Sequence, residues 1–563
     1  MPARATEVRG IHAVRLNAVD DRHGPTRPGI GACQARLTYR MLSIGKLAAG
    51  PTAGRYYVEQ VAAGREDYYS GEGDGEAPGA WIGSGAKRLG LSDAVTDGGI
   101  TSLLAARDPG TDELLGQPLT DGSVAGFDLT FKAPKSVSVL FGIGERELVD
   151  QLVAGHEQAL QEAIDYLERH ACGGRRGHAG HTKIDGHGFV AAAFRHRSSR
   201  AGDPLLHTHV VVANRVEGPD GRWTALDAQR MYRHAKTAGF LYQAALRREL
   251  TERLGLSWTE VHRGTAEVQG VPSKVIESFS RRRREIERAL EERGERSLAA
   301  ANAAALDTRK GKDYNVSIGS LRATWRRQAA DLGLDPDALE QILATPPERN
   351  TPDLVSLDDL TRHTPTFTRR DVLQALAAAH RDGARVADLE TAADALLAGP
   401  DAIPVERASG ERAYTTRDMV LTEHELLARV QAGRSAGLAI GRPDLVADAI
   451  ARHGLEGEQA EMVRSLTSTG HAIQVVRAPA GAGKTRALEA AREAWTRTGA
   501  DVIGCALSAR AAAELRDQAA LETTTIARLR IALDHGKRLP LDGVLIVDEA
   551  GMVGTRDLAE LAR

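Results

Sequence analysis

Apolar and polar residues alternate in several short stretches of the first half of the chain, and each stretch predicts a strand. In FDLTF, Phe127, Leu129 and Phe131 alternate with Asp128 and Thr130, which gives one apolar face and one polar face carrying Asp128. MLSIGKL from Met41, FVAAAFRH ending at His196, and LHTHVVVANRV read the same way. The helical repeat instead runs through residues 145–170 and 228–255. Strands mixed with long helices predict an α+β domain over residues 41–320. Residues 321–454 read as a mostly helical connecting region with one hairpin, AIPVERASGERAYTT, whose Ser-Gly lies between alternating residues. From 455 to 563, AIQVVRAP, DVIGCALSA and GVLIVDEA read as strands separated by the helices KTRALEAAREAW and RAAAELRDQ. That order predicts parallel βαβ units and an α/β P-loop domain. Residues 1–40, rich in Gly, Pro, Arg and Asp without a sustained period, read as a disordered or mis-annotated extension, with Met41 as a candidate start.

Composition narrows this picture only a little. The chain has 563 residues, more than one hydrophobic core usually organises. Its 42% apolar and 26% charged residues exclude a fibrous or wholly disordered chain. No apolar run is long enough to span a bilayer and the start lacks a signal-peptide core, so the expected location is the cytoplasm, without membrane insertion. Cys33, Cys172 and Cys505 form no CxxC pair. The net charge of −3 argues against a protein that coats DNA. Local charge differs: Arg169 to Arg200 contains seven Lys or Arg and a single acid, Asp185. Arg281 to Arg284 form a second basic run, but Glu285, Glu287, Glu291 and Glu292 follow, so a solvated helix face explains it as well as DNA contact does.

Candidate chemistry lies on the predicted strands. His207 and His209 are two apart, so both imidazoles leave one strand face, and the turn-rich RSSRAGDPLL can return the chain to bring His196 alongside them. Three neutral imidazoles suit a divalent cation with positions left open for phosphate or water. By itself an HxH pair is weak support for a metal, and Asp128 by itself reads equally as a device that keeps an edge strand soluble. Of the ten tyrosines, four stand as the pairs Tyr56-Tyr57 and Tyr68-Tyr69. A phenol can attack phosphorus and conserve the phosphodiester as phosphotyrosine, once a base or metal activates it. Taken alone, these four read better as an aromatic stripe on a helix.

The ordered set MLSIGKL, two tyrosine pairs, FDLTFKAPKSVSVL and FRHRSSRAGDPLLHTHVVVANR resembles the relaxase domain of the MobF conjugative relaxase-helicases, the TrwC/TraI-like family. The resemblance implies a HUH endonuclease domain on a five-stranded antiparallel sheet flanked by helices. It implies His196, His207 and His209 as ligands of a divalent metal, Mg2+ or Mn2+, and Tyr56 as the nucleophile of the first cut. Tyr68 would serve a second transfer, Tyr57 and Tyr69 would be auxiliary, and Asp128 would hydrogen-bond the site and assist proton removal. Arg195, Arg197 and Arg200 would hold the DNA backbone. The implied activity is nicking of single-stranded DNA at an origin of transfer, leaving the 5′ end on tyrosine. Accessory relaxosome proteins and a type IV secretion coupling protein are the implied partners. A rolling-circle replication initiator uses the same chemistry, and nicking at a transfer origin separates it from a relaxase. An idle DNA-binding regulator or ATPase module is the alternative outside that chemistry, and it would form no covalent adduct with a single-stranded origin oligonucleotide.

APAGAGKT is a P-loop: backbone N–H groups from Gly481 to Gly483 cradle phosphates, Lys484 reaches the β and γ phosphates and Thr485 offers its hydroxyl to Mg2+. In VLIVDEAGM, Asp548 completes the Mg2+ shell and Glu549 orients water. ATP with Mg2+ is the expected ligand. The segment resembles the first motor domain of a RecD-like, superfamily 1 helicase, which implies an adenine contact for Gln459. The chain stops at Arg563, before a second motor domain, so the expectation is a truncated helicase part that binds ATP without unwinding duplex DNA.

Overall fold

The computed structural model describes residues 41–49, 79–177, 180–199, 201–293, 318–346, 349–407, 410–477, 483–537, 539 and 543–563. The extension at 1–40, the tyrosines Tyr56, Tyr57, Tyr68 and Tyr69, and also Arg200 and Gly481, lie outside them.

The alternating segments become strands. β1 (Leu42–Ala48), β2 (Ala80–Ile82) and β3 (Val124–Lys132) come first. Helices α1 (Lys135–Ile143) and α2 (Arg146–Ala171) follow, then a hairpin of β4 (Gly173–Arg176) and β5 (Thr182–Asp185). Next come β6 (Ala191–Ser198), β7 (Pro204–Ala213) and the long helix α3 (Ala228–Leu254). Five strands form one antiparallel sheet in the order β1-β3-β7-β6-β2. The turn expected between His196 and His207 is there: Ser199 N donates to Asp203 O and Gly202 N to Ser199 O.

Each sheet face has its own work. Phe127, Leu129, Phe131, Val210 and Val212 are buried against the apolar stripes of α2 and α3, which include Leu152, Leu160, Ile164, Leu241 and Leu246. Removing one such side chain from water contributes about 1.5–3 kcal/mol, so this face dominates the stability of the sheet. On the opposite face Val211, Ala213, Ala192 and Phe194 pack on Ile100, Leu103 and Leu104 at one end only. The other end is left to polar side chains.

The expected connecting region does not stand apart at residue 320. Trp325 and Ala329 of α5 (Ile318–Asp331), which follows α4 (Arg281–Arg293), belong to the same core as the sheet. So do Val372 and Leu373 of α6 (Arg369–Ala379) and Leu389 and Ala393 of α7 (Val386–Ala398). The reason is docking onto α3. Arg247, fully buried, donates to the carbonyls of Ala377, His380 and Arg381 at the end of α6. Gly383, at φ 84, approaches the backbone of Ala244 and Arg248 where a Cβ would collide. Helical periodicity reports a buried face without saying what covers it. The hairpin expected in this region forms as Ile403–Glu406 with Arg412–Thr415.

The second core begins in the connecting region with Val446, Ala449 and Ile450. It is completed by α8 (Gly457–Ser468), α9 (Lys484–Thr498) and α10 (Ala509–Ala519) packed on a parallel sheet. The strands are β8 (Val502–Ala506), β9 (Glu522–Thr525) and β10 (Val544–Val547), in the order β9-β8-β10. The expected strand AIQVVRAP is the exception: residues 471–477 form none, and Val475 is 87% exposed. An apolar run becomes a strand only where a neighbour takes its backbone hydrogen bonds, and the described sheet does not pair with this one. No helix of the described residues is long and apolar enough to cross a membrane.

Candidate active site

The polar end of the sheet is built by register. His196 on β6 lies directly opposite His207 on β7, and His209 lies opposite Thr130 on β3. Residues paired across strands share a face, so His196, His207, His209 and Thr130 crowd together, with Asp128 two positions along. The imidazole centroids are 5.2 Å apart for His196–His207, 5.1 Å for His196–His209 and 5.2 Å for His207–His209.

Hydrogen bonds select the tautomers. His209 Nδ1 lies 2.9 Å from each oxygen of Asp128, and His207 Nδ1 is 2.9 Å from the Leu205 carbonyl, to which it donates. With each Nδ1 protonated, each Nε2 keeps its lone pair. Burial first, and then the neighbouring His209 and His196, hold His207 well below the ordinary histidine pKa, so it stays in the neutral form that ligates metals. The donor set therefore fits a divalent cation. Among the described residues no group of three His, Cys, Asp or Glu side chains is already set to hold a metal ion, so the fit rests on the donor chemistry of the trio and not on a formed site.

Two further groups share this face and carry no motif of their own. Thr130 Oγ1 is 3.3 Å from His209 Nδ1 and 3.4 Å from Asp128 Oδ1. Lys132 stands opposite His207; burial lowers its pKa against the opposing pull of Asp128. Strand alternation alone could have found both.

Arg195 is a correction. The period of two that unites His207 with His209 puts Arg195 on the far face from His196, opposite Thr208, where its guanidinium pairs with Glu157 of α2. Arg197 follows at the bulge between His196 and Ser198, near Arg322 of α5. In the run at the start of α4, Arg281 binds Asp203 in the β6–β7 turn at 2.6 Å, Arg282 pairs with Glu285 and Arg283 with Glu287. The solvated, ion-paired reading of that run is the one these contacts favour.

In the second domain Gly483, at φ 74, begins α9, with Lys484 and Thr485 in its first turn. A Cβ at Gly483 would collide with the carboxamide of Gln459 on α8, so the expected glutamine and the phosphate loop are neighbours. Asp548 leaves the end of β10, its N–H donating to Cys505 O of β8 at 3.0 Å, and Glu549 N donates to Asp548 Oδ1 at 3.0 Å. The carboxyl ends of parallel strands are where α/β sheets bind ligands.

An antiparallel sheet with three converging imidazoles and a carboxylate, followed by a parallel domain with a phosphate loop, defines a relaxase joined to a nucleotide-binding domain. The chain belongs to the TrwC relaxase family, whose profile matches residues 51–332; an AAA domain profile matches residues 454–563. The multifunctional conjugation protein TraI of Escherichia coli is 34% identical over 310 residues, covering 52% of this chain and 16% of TraI. The probable conjugal transfer protein TraA of Sinorhizobium fredii is 31% identical over 218 residues, covering 37% of this chain and 19% of TraA. The chain thus spans less than a fifth of the length of these relatives. A solved structure described as the conjugative relaxase TrwC in complex with oriT DNA, metal-bound, is 30% identical, covers 52% of this chain and 99% of that one, and has a TM-score of 0.45.

Proposed function

We propose that the first domain nicks single-stranded DNA at an origin of transfer by tyrosine transesterification. The observation that carries this reading is the trio His196, His207 and His209 on one sheet face, with His209 held at Nδ1 by Asp128. Family membership and the identity to TraI support it. His196, His207 and His209 would hold a divalent cation, Mg2+ or Mn2+, which would supply positive charge for the scissile phosphate. Tyr56 Oη attacks phosphorus in line; the bond to O3′ breaks, the phenolic proton is lost to a base and the 3′ oxygen leaves as a hydroxyl. The 5′ phosphate stays on Tyr56, and Tyr68 serves a second transfer. Asp128 fixes the tautomer and direction of His209, and Arg197 and Arg200 hold the DNA backbone. In the second domain, Gly481, Gly483, Lys484 and Thr485 bind the phosphates of ATP with Mg2+, Asp548 and Glu549 serve metal and water, and Gln459 meets the base. The setting is the cytoplasm of a conjugating cell, with accessory relaxosome proteins and a type IV coupling protein as partners.

The test is a covalent trap. Labelled single-stranded oligonucleotides tiled across the DNA flanking the coding sequence, incubated with the protein and Mg2+ or Mn2+, are expected to give one denaturation-resistant adduct, abolished by a chelator. If no oligonucleotide forms an adduct with either metal, the nicking reading is wrong.

A further inference from the structure

Beneath the histidine trio, on the helix side of the sheet, lies a buried polar chain that no step above uses. Thr208 sits between His207 and His209 on β7, and alternation turns its side chain to the opposite face. There Thr208 Oγ1 meets His156 Nε2 of α2 at 2.7 Å, and His156 Nδ1 meets the hydroxyl of Tyr242 of α3 at 2.7 Å. His156, Tyr242 and Thr208 are 0%, 0% and 2% exposed. Next in sequence to Tyr242, Gln243 donates from Nε2 to the Lys132 carbonyl of β3 at 2.9 Å. The same helix thus reaches two of the three strands that present the site, β3 directly and β7 through His156.

Polar groups this deep are costly in an apolar core unless each finds a partner, and three leucines could fill the same space. A neutral imidazole between two hydroxyls is satisfied in either proton arrangement, because each hydroxyl can donate or accept. Burial first, with the nearby Arg195 guanidinium, holds His156 to about 3, so the neutral ring persists at any ordinary pH. What such a chain fixes is rotation. A strand residue tied at its side chain cannot turn about the strand axis, and the Cβ directions of the residues on either side of it are set with it.

We propose that His156, linked through Thr208 and backed by Tyr242, is a positioning residue that sets the angle between the His207 and His209 imidazoles from the reverse side of the sheet. The proposal rests on the reading of the trio as a metal site, and it extends the supporting shell beyond Asp128 to residues that touch neither metal nor DNA. Outer partners of metal ligands typically alter affinity by about 10–100-fold, and the effect here passes through one strand, so the lower end is expected.

The experiment is a titration of the intact 563-residue chain with Mn2+ alone, followed by electron paramagnetic resonance, with melting temperature measured in parallel. Thr208→Val keeps the volume and removes the hydroxyl; Thr208→Ser keeps the hydroxyl and trims a methyl. We expect Thr208→Val and His156→Gln to weaken Mn2+ binding about tenfold, and Thr208→Ser to bind like wild type whatever its melting temperature. If Thr208→Val binds Mn2+ as tightly as wild type, or if Val and Ser variants lose affinity together, the hydroxyl link has no positioning role and the proposal is overturned. His207→Ala is the control for the underlying reading. If wild type takes up no Mn2+, or His207→Ala binds it unchanged, the metal assignment itself fails and this proposal falls with it.

Discussion

The two candidate sites of this chain are built in opposite ways. At the histidine trio every group sits on a strand whose two faces are engaged, one by the helices α2 and α3 and the other by the site itself. At the phosphate loop the key residues occupy a helix start, Gly483 to Thr485, and the end of a strand, Asp548 and Glu549. Strand register specifies which side chains meet, whereas a loop motif specifies only which residues take part. Replacing a strand residue should therefore disturb its neighbours across the sheet, while a loop substitution should remove one interaction and little else.

The largest expected effect on this contrast comes from His209→Ala. On the proposed reading it removes a metal ligand and the imidazole partner of Asp128, and should lower Mn2+ affinity by more than about 100-fold, beyond what loss of an outer partner causes. A smaller loss would mean the trio does not act as one ligand set. If Lys484 binds the phosphates as proposed, Lys484→Ala removes a charge-assisted contact of about 1.5–3 kcal/mol, so ATP affinity by fluorescence titration should fall about 10–100-fold. Unchanged affinity would take the phosphate loop out of the account. Asp128→Ala leaves the three proposed ligands in place and frees the His209 ring, with an expected loss of about tenfold in Mn2+ affinity. Equality with wild type there would show that Asp128 orients nothing.

The smallest effect concerns the docking of α7 on the relaxase domain. Burial would raise the pKa of Glu390, but hydrogen bonds from His170 and Arg169 outweigh it and hold the carboxyl at about 2. A depressed carboxylate pKa contributes stability that is complete above the unfolded value near 4.5 and is lost as pH falls toward about 2. Because the pair is partly solvated, about 1 kcal/mol is expected, and Glu390→Gln should flatten denaturant stability over that acid window. An unaltered slope would show that this contact does not tie the two regions.

Much of the histidine site was legible because a period of two is geometry. Phe127, Leu129 and Phe131 turned inward, Asp128 turned outward, and His207 and His209 shared a face, as alternation requires. The same rule, applied one residue further, would have sent Arg195 away from His196. His156 was half visible: it falls on the buried stripe of α2 between Leu152 and Leu160, where a histidine needs partners. Those partners, Thr208 and Tyr242, are 52 and 86 residues away, and only the fold joins them. The helices after residue 320 likewise announced a buried face, but α3 as the surface that covers it depends on Arg247 and Gly383, which no local pattern marks. In the second domain AIQVVRAP had the apolar content of a strand without a described neighbour to pair with.

The central claim, that the sheet face with three imidazoles directs a tyrosine onto phosphorus, is tested most directly by locating the adduct. Protein trapped on a cleaved single-stranded oligonucleotide, digested and analysed by mass spectrometry, should carry a 5′-phosphodinucleotide on Tyr56, absent in Tyr56→Phe and in His207→Ala. An adduct on another residue, or one that survives both substitutions, would contradict it.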